Sequence, residues 1–249
     1  GGSLDAMLVL QDSLRAQLAQ LDTAETRLQD LATAVEDAAR RVGELAGRLS
    51  RKRIDAAKKL TTQVTKELSA LRMERTRFAV EVLPLPGETS YGQMGHDAVE
   101  FVFSANPGEP LKPLAKVASG GELSRVMLAL KTILAESDRV PVLIFDEVDA
   151  GVGGAVAEVM GTRLRDLSRH HQVLCVTHLP QVGSQAHAHY LVEKQVRQQR
   201  TVTQVRLLTE REREEEVARM LAGVTVTNSA RAAAAEMIGS AKERRARSD

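Results

Sequence analysis

The chain has 249 residues and a formal net charge of +1, with 43% hydrophobic residues, 2% aromatic residues and no tryptophan. We find no secretory signal and no apolar run near 18 residues, which argues against export and membrane spanning, and the near-neutral charge gives no argument for nucleic-acid binding. This composition predicts one globular domain plus an extended helical element in a reducing, cytoplasmic compartment, where the single Cys175 is a small buried residue.

The N-terminal third has the heptad pattern of a coiled coil. Apolar residues recur at seven-residue intervals through Leu14, Leu21, Leu28, Val35, Val42 and Leu49 and, after a one-residue slip, through Ala57, Val64, Leu71 and Phe78. The run Asp22-Thr23-Ala24-Glu25 resembles a capping box, which predicts a break near residues 21–24. The alternative is an amphipathic helix packed on a globular core. A helix with this pattern would be about 110 Å long, which is too long for that alternative. We therefore predict a coiled-coil limb over residues 1–77.

Basic residues cluster on the limb and at the C-terminus. The clusters are Arg51, Lys52, Arg53, Lys58 and Lys59 on the limb, Arg72, Arg75 and Arg77 near its end, and Lys242, Arg244, Arg245 and Arg247 at the C-terminus. Exposed basic residues on a helix are usually a solvated face, although phosphate contacts require only such clusters. Because no groove-reading motif accompanies them, any DNA binding should be independent of sequence.

From Phe78 onward the periodicity changes from helical to alternating. Residues 79–83 and 99–103 alternate as two strands of a hairpin-like element. Two further strands, 190–196 and 201–208, and two helices, 212–221 and 228–243, are predicted near the end. These elements predict a second domain over residues 78–249.

A glycine-bearing helix entry lies at Ser119-Gly120-Gly121-Glu122. Ser119 is a good N-cap, and the glycines would let backbone N–H groups approach an anion at the positive end of the helix. An ordinary loop-to-helix entry has the same composition, so this segment alone does not decide between the two.

The run Val142-Leu143-Ile144-Phe145 predicts a strand buried on both faces, and it leads directly into Asp146 and Glu147. Ligands of α/β sheets bind beyond the carboxyl ends of strands. One carboxylate can hold Mg²⁺ there and the next can orient or deprotonate a water. A strand that ends in solvated acids is the alternative.

A second apolar run, Val173–Thr177, ends in His178. A single histidine after a strand is more often structural than functional. At the same sheet edge as an Asp-Glu pair, however, it becomes a candidate sensor of a γ-phosphate.

These three segments, read as ASGGELSR, VLIFDEVDAGVGG and VLCVTHLPQV in this order and spacing, resemble the RecN family of bacterial SMC-like proteins that repair DNA double-strand breaks. The resemblance covers most of the chain. It implies an α/β ABC-type ATPase head lobe, partial, with a mixed sheet and flanking helices, joined to a long α-helical coiled-coil segment.

The resemblance also implies roles. Ser119, Gly120, Gly121 and Glu122 match the signature motif that meets ATP bound by a second head, Asp146 and Glu147 the Walker B pair, Asp149 the D-loop, and His178 the switch histidine. Asp146 would then serve Mg²⁺, Glu147 would activate the attacking water and His178 would sense the γ-phosphate. The implied cofactors are ATP and Mg²⁺.

No Gly-Lys-Ser or Gly-Lys-Thr occurs, so the phosphate-cradling Walker A loop is missing from this sequence. The resemblance therefore implies a C-terminal fragment that is inactive alone. Its expected partners are its own N-terminal half, a second head in an ATP-dependent homodimer, and DNA bound without sequence preference; no membrane partner is expected, and the location would be the cytoplasm, at the nucleoid.

Two function classes fit these motifs. The first is a DNA-repair ATPase head with its coil; within it, another SMC or nuclease-associated repair ATPase is the nearer rival. The second is a nucleotide-binding subunit of an ABC transporter. The long heptad pattern favours the first, because a transporter subunit has no use for such a limb.

Overall fold

The computed structural model describes residues 3–87, 91–116, 120–197 and 200–246. The chain divides into two compact units, Gly1–Ala56 with Val82–Val99 and Ala57–Glu81 with Glu100–Asp249. The division therefore falls within the first helix and within the first two strands, and not at the predicted boundary between residues 77 and 78. In the described part, no helix is long and apolar enough to cross a membrane.

Helix α1 is continuous from Leu4 to Ala70. The predicted break near residues 21–24 is therefore wrong. Thr23 Oγ1 donates to the Ala19 carbonyl at 2.7 Å, and Thr26 Oγ1 donates to the Asp22 carbonyl at 2.9 Å, which are the contacts that hydroxyls make to the preceding turn inside a helix. A capping box acts at the first turn of a helix, whereas this run lies in the interior of α1.

The heptad seam is exposed over its first half. Its exposed members are Leu14, Leu18, Leu21, Leu28, Leu31, Val35, Val42, Leu45 and Leu49.

Soluble monomers rarely tolerate an apolar stripe of this length, so we expect the isolated chain to self-associate through residues 14–49. Sedimentation at several concentrations should show oligomers, and Leu21→Lys with Leu28→Lys should return the chain to monomer. Thr26→Lys on the opposite side is the control; a helical monomer at every concentration would contradict the coiled-coil interpretation.

The second half of the seam is buried within the chain, unlike the first. Val64 and Leu68 pack with Phe78, Phe103 and further apolar residues in a cluster of the second unit: Val126, Ala129 and Leu130. These helix positions therefore need no partner helix. The alternative of a helix packed on a core holds for this short segment.

Helix α1 ends earlier than the predicted limb. Arg72 has a left-handed φ of 54°, Met73 N donates to the Leu68 carbonyl at 2.9 Å, and Arg72 N donates to the Ser69 carbonyl at 3.0 Å. This bonding pattern is the Schellman motif, which satisfies the last carbonyls of a helix. The sequence has no glycine at this helix end, so the sequence pattern predicts a limb that extends beyond it to residue 77.

Within the described residues, three small sheets follow. In the first, β1 (Arg77–Pro84), β2 (Asp97–Ser104) and β3 (Lys112–Pro113) are neighbours in that order, and a short 3-10 helix, Leu114–Lys116, comes next. The predicted pairing of residues 79–83 with 99–103 is confirmed.

In the first unit, Asp97 accepts hydrogen bonds from Ser50 at 2.7 Å and Arg53 at 3.0 Å, which lower the pKa of its carboxyl.

The second unit contains the α/β core. Helix α2 (Gly120–Leu134) precedes β4 (Val142–Phe145), α3 (Ala155–Leu167) and β5 (Gln172–Cys175), and β4 pairs with β5 in parallel. Leu143, Phe145 and Val148 share a buried cluster with Met160 and Leu164 of α3. The predicted combination of a partial α/β lobe and a long helix is confirmed, although the strands lie in separate small sheets.

Strand β4 is buried on one face only, so the prediction of burial on both faces is wrong. Leu143 and Phe145 face the core, whereas Val142 and Ile144 are exposed, Ile144 by 71%. On β5 and just after it, Leu174 and Val176 are exposed as well. The described helices cover only one side of this two-stranded sheet.

The chain ends as predicted. A short helix, α4 (Pro180–Gly183), is followed by β6 (Tyr190–Arg197) and β7 (Arg200–Leu207), which pair antiparallel. Helices α5 (Glu210–Ala222) and α6 (Asn228–Ala246) close the chain. Thr209 and Glu212 form a capping box at the start of α5, and the hydrogen bonds from Thr209, with one from Arg206, lower the pKa of Glu212 to about 2.

Candidate functional site

The register of the parallel strands brings two predicted segments together. Phe145 lies opposite Cys175, and Val176 N donates to the Phe145 carbonyl at 3.0 Å. Asp146 and Glu147 therefore leave the sheet at the same edge as Thr177 and His178. This edge, at the carboxyl ends of the strands, is where ligands of such sheets bind.

The two carboxylates after β4 are held differently. The Asp146 side chain is exposed, and its own backbone carbonyl accepts a hydrogen bond from Ser124 Oγ at 2.9 Å. Glu147 is also exposed and has a left-handed φ of 56°. Such a conformation is uncommon for a residue with a Cβ and often occurs at functional sites.

The start of helix α2 lies against this loop. A Cβ on Gly120 would come 2.7 Å from Glu147 Oε2, and a Cβ on Gly121 would come 3.1 Å from the Glu147 carbonyl oxygen and 3.0 Å from the Ala150 Cβ. A side chain at Gly121 would therefore fit tightly against this loop. Glu122 is half-buried in the same turn. Ser119, the fourth residue of the predicted motif, lies outside the described residues.

Arg125, the last residue of the ASGGELSR segment, connects the helix to the loop, although the sequence predicted no role for it. Its Nη1 donates to the Ala150 carbonyl at 2.9 Å and to the Val148 carbonyl at 3.5 Å, while its Nε lies 3.4 Å from Met73 Sδ. Burial lowers the pKa of its guanidinium, which stays charged because an arginine pKa is far above neutral. Arg125 therefore fastens α2 to the carbonyls on either side of Asp149.

Asp149 is buried, with 4% of its surface exposed. Its Oδ2 accepts hydrogen bonds from Thr177 Oγ1 at 2.6 Å and His178 N at 3.1 Å, and it lies 3.2 Å from His178 Nδ1. The His178 side chain, by contrast, is 74% exposed. The aspartate that was predicted as a D-loop residue thus contacts the predicted switch histidine of its own lobe.

Cys175 lies behind this edge and is half-buried. Burial, followed by the nearby charges of Asp149 and Asp146, raises the pKa of its thiol to about 12. A thiol with such a pKa stays protonated at neutral pH and is a poor nucleophile.

The donor set fits Mg²⁺ of the kind that is held mainly by phosphates. Among the described residues, no three His, Cys, Asp or Glu side chains are grouped closely enough to hold a metal ion. Mg²⁺ in nucleotide sites uses one or two carboxylates plus phosphate oxygens and waters. The exposed Asp146 at the sheet edge can supply one such ligand.

The chain is similar to curated proteins named DNA repair protein RecN. That of Halalkalibacterium halodurans is 41% identical over 96% of this chain and 42% of its own length, and that of Vibrio cholerae is 42% identical over 91% and 40%. That of Mycobacterium tuberculosis strain H37Rv is 43% identical over 96% and 43%. The chain thus spans about two fifths of the length of these relatives.

Solved structures give a weaker likeness. An Smc head domain with a coiled coil and joint from Pyrococcus yayanosii is 16% identical, with 86% of this chain and 37% of that chain covered and a TM-score of 0.47. An SMC head domain from Thermotoga maritima is 22% identical, with 66% and 52% covered and a TM-score of 0.32. No family model matches the chain.

The relatives cover nearly all of this sequence, including the three segments that meet at the edge of β4 and β5. Over nearly its whole length, the chain therefore matches part of the proteins named DNA repair protein RecN.

Proposed function

We propose that this chain supplies one half of the ATP site of a RecN-type DNA double-strand-break repair ATPase. The observation that carries this proposal is the convergence of the glycine-bearing start of α2, the Asp146-Glu147 pair and His178 at one edge of a parallel sheet. The other half, with the Walker A loop, would come from the remainder of a longer protein.

In this site, Asp146 would bind Mg²⁺ together with the ATP phosphates, and Glu147 would orient and deprotonate the attacking water. The Glu147 carboxylate lies over Gly120, at the start of α2. His178, which is exposed at the same edge, would donate a hydrogen bond to the γ-phosphate.

The open face of the β4–β5 sheet supports a missing partner lobe. Its exposed apolar side chains are Val142, Ile144, Leu174 and Val176. A contiguous exposed apolar surface marks an interaction site, and on this proposal the Walker A half of the same protein covers it. Ser119, Gly120, Gly121 and Glu122 would then meet ATP held by a second head in an ATP-dependent homodimer.

DNA would be bound through phosphates without base recognition. Lys58, Lys59, Arg72 and Arg75 are exposed in the second unit, and Arg51 is exposed in the first. Some predicted basic residues are already paired: Arg53 with Asp97, Lys242 with Glu210, and Arg244 with Glu158. Among the described residues, these exposed basic residues therefore support DNA binding better than the paired Lys242 and Arg244. Such a protein would act in the cytoplasm, at the nucleoid.

The role of His178 can be tested in a full-length protein that joins this chain to a Walker A lobe. We expect His178→Ala to reduce ATP hydrolysis by roughly 10²-fold, the loss typical of one transition-state hydrogen-bond donor, and to leave Mg²⁺ affinity unchanged. The measurement is steady-state phosphate release in a Mg²⁺ titration. His170→Ala, an exposed histidine that precedes β5, is the matched control. A marked loss of Mg²⁺ affinity would place His178 in the metal site instead.

A further inference from the structure

The loop that carries Glu147 is held by two consecutive side chains of helix α2. We propose that Ser124 and Arg125 are positioning residues for Glu147. By holding the backbone of its loop, residues 146–150, they keep its carboxylate at the start of α2. This inference rests on the function proposed above and deepens it, because it assigns the residues that place the group expected to activate water.

The backbone of this loop is strained at one residue. Glu147 has a φ of 56°, a left-handed conformation that a residue with a Cβ adopts only at a cost in free energy. Such a conformation persists where the surrounding contacts hold it. Ala150 N donates to the Glu147 carbonyl at 3.0 Å and closes the loop into a turn. The carbonyls of Asp146, Val148 and Ala150 accept hydrogen bonds from outside this turn.

Helix α2 supplies those donors. Ser124 Oγ donates to the Asp146 carbonyl at 2.9 Å. Arg125 Nη1 donates to the Ala150 carbonyl at 2.9 Å and, at a longer 3.5 Å, to the Val148 carbonyl. Because a shielded backbone carbonyl without a donor is costly, these hydrogen bonds stabilise the loop in the observed conformation. They act on both sides of the left-handed residue.

The spacing of residues along α2 explains how one helix holds the loop. Ser124 follows Gly120 by four residues, and residues at this spacing lie on the same face of a helix. Arg125 follows Gly121 in the same way. A Cβ on Gly120 would come 2.7 Å from Glu147 Oε2, so the first turn of α2 leaves room for the carboxylate. The next turn, on the same face, holds the backbone that carries it.

The Arg125 guanidinium is itself held in one direction. Its Nε lies 3.4 Å from Met73 Sδ, while its Nη1 donates to the loop. Burial lowers the pKa of the guanidinium, but it remains charged at neutral pH because an arginine pKa is far above that value. A hydrogen bond from a charged donor is stronger than one from a neutral donor. Arg125 should therefore contribute more to holding the loop than Ser124.

The consequence concerns the rate of the reaction more than the binding of ATP. A group that takes a proton from water must lie within hydrogen-bond reach of that water, and a displacement of about 1 Å can lower the rate by about 10²-fold. Without Arg125, the loop can relax and the Glu147 carboxylate can move. The Walker A loop, which would hold the phosphates, belongs to the other lobe. We therefore expect kcat to fall while KM for ATP changes little.

The first test is hydrogen exchange of the full-length protein without nucleotide, which needs no ATPase activity. In Arg125→Met, the amides of the loop peptide 146–152 should lose protection, while those of peptide 160–167 in α3 should keep it. Unchanged exchange of the loop peptide in folded Arg125→Met would overturn the inference. If that variant does not fold, Ser124→Ala, which removes one hydroxyl, decides the question by the same peptide.

Arg163→Met is the matched control for this experiment. Arg163 is also a half-buried arginine, but its guanidinium pairs with Glu67 of α1 at 2.8 Å and not with the loop. Its replacement removes a comparable interaction from the same unit and should leave the loop peptide protected. Equal loss of protection in both variants would show a general loosening of the unit and would contradict a specific role for Arg125.

The second test is a double-mutant cycle on ATP hydrolysis in the same protein. Arg125→Met should lower kcat by up to about 10²-fold with little change in KM, and Ser124→Ala should lower it less. Ser124→Thr, which keeps the hydroxyl, should stay near the wild-type rate. Because Arg125 acts through Glu147, adding Arg125→Met to Glu147→Gln should cause no further loss. Fully additive losses would contradict a positioning role. Absence of ATPase activity in the wild-type protein would refute the proposed function alone, since the exchange test decides the loop contacts without it.

Discussion

Replacing Glu147 with glutamine in a full-length protein that includes a Walker A lobe is expected to reduce ATP turnover by roughly 10²–10⁴-fold and to preserve ATP binding. Glutamine keeps the size and hydrogen-bonding shape of the side chain but cannot take a proton from the attacking water. Because hydrolysis becomes slow while binding persists, ATP-bound head dimers should accumulate. Phosphate release and equilibrium binding of a fluorescent ATP analogue measure the two effects separately.

Glu136→Gln provides the matched control for this change. Glu136 is an exposed glutamate just after α2, far along the helix from the Gly120 end that contacts Glu147. It should turn over ATP at the wild-type rate. If Glu147→Gln also stays within about twofold of wild type, a difference too small for the loss of a general base, another group activates the water, and His178 is the next candidate.

The second large effect is expected for Ser119→Arg. On the proposed function, Ser119 would belong to the motif that contacts ATP held by the opposite head. The arginine side chain would occupy the space where backbone N–H groups must close on the γ-phosphate, so heads should no longer join and turnover should be lost. Each head should still bind ATP through its own Walker A loop, as equilibrium binding would show.

Ser137→Arg is the control for the added charge and bulk, because Ser137 is exposed just past the other end of α2. Mixing Ser119→Arg with a variant that lacks the Walker A lysine leaves one intact composite site in each mixed pair. Recovery of activity would support a contact in trans, provided that the two sites act independently. Loss of ATP binding by a folded Ser119→Arg head would instead place the motif in the same head.

The sequence predicted best the elements whose signals are local. The apolar run before Asp146 predicted β4, and the glycine-bearing helix entry predicted the start of α2. The meeting of the Asp146-Glu147 pair with His178 at one sheet edge followed from parallel strand geometry. The helix predicted over residues 212–221 is present as α5, which begins at Glu210 after a capping box of Thr209 and Glu212 that was not predicted.

Features that depend on tertiary contacts were not predictable in this way. The sequence of Asp22 to Glu25 has the letters of a capping box, but the hydroxyl of Thr23 bonds back within the helix. Burial of β4 on one face depends on what covers the sheet, which a strand pattern does not contain. The buried position of Asp149 and the hydrogen bond from Arg125 to the loop that carries it depend on contacts between residues that are 25 or more positions apart in the sequence.

The most direct measurement of the composite-site model is sedimentation of the full-length Glu147→Gln protein with Mg²⁺-ATP, with and without Ser119→Arg. We expect the single variant to sediment as an ATP-dependent dimer of heads. The double variant should bind ATP equally well but remain undimerised. If the double variant forms the same ATP-dependent dimer, the segment that begins at Ser119 does not meet the nucleotide of a second head, and the proposed site is wrong.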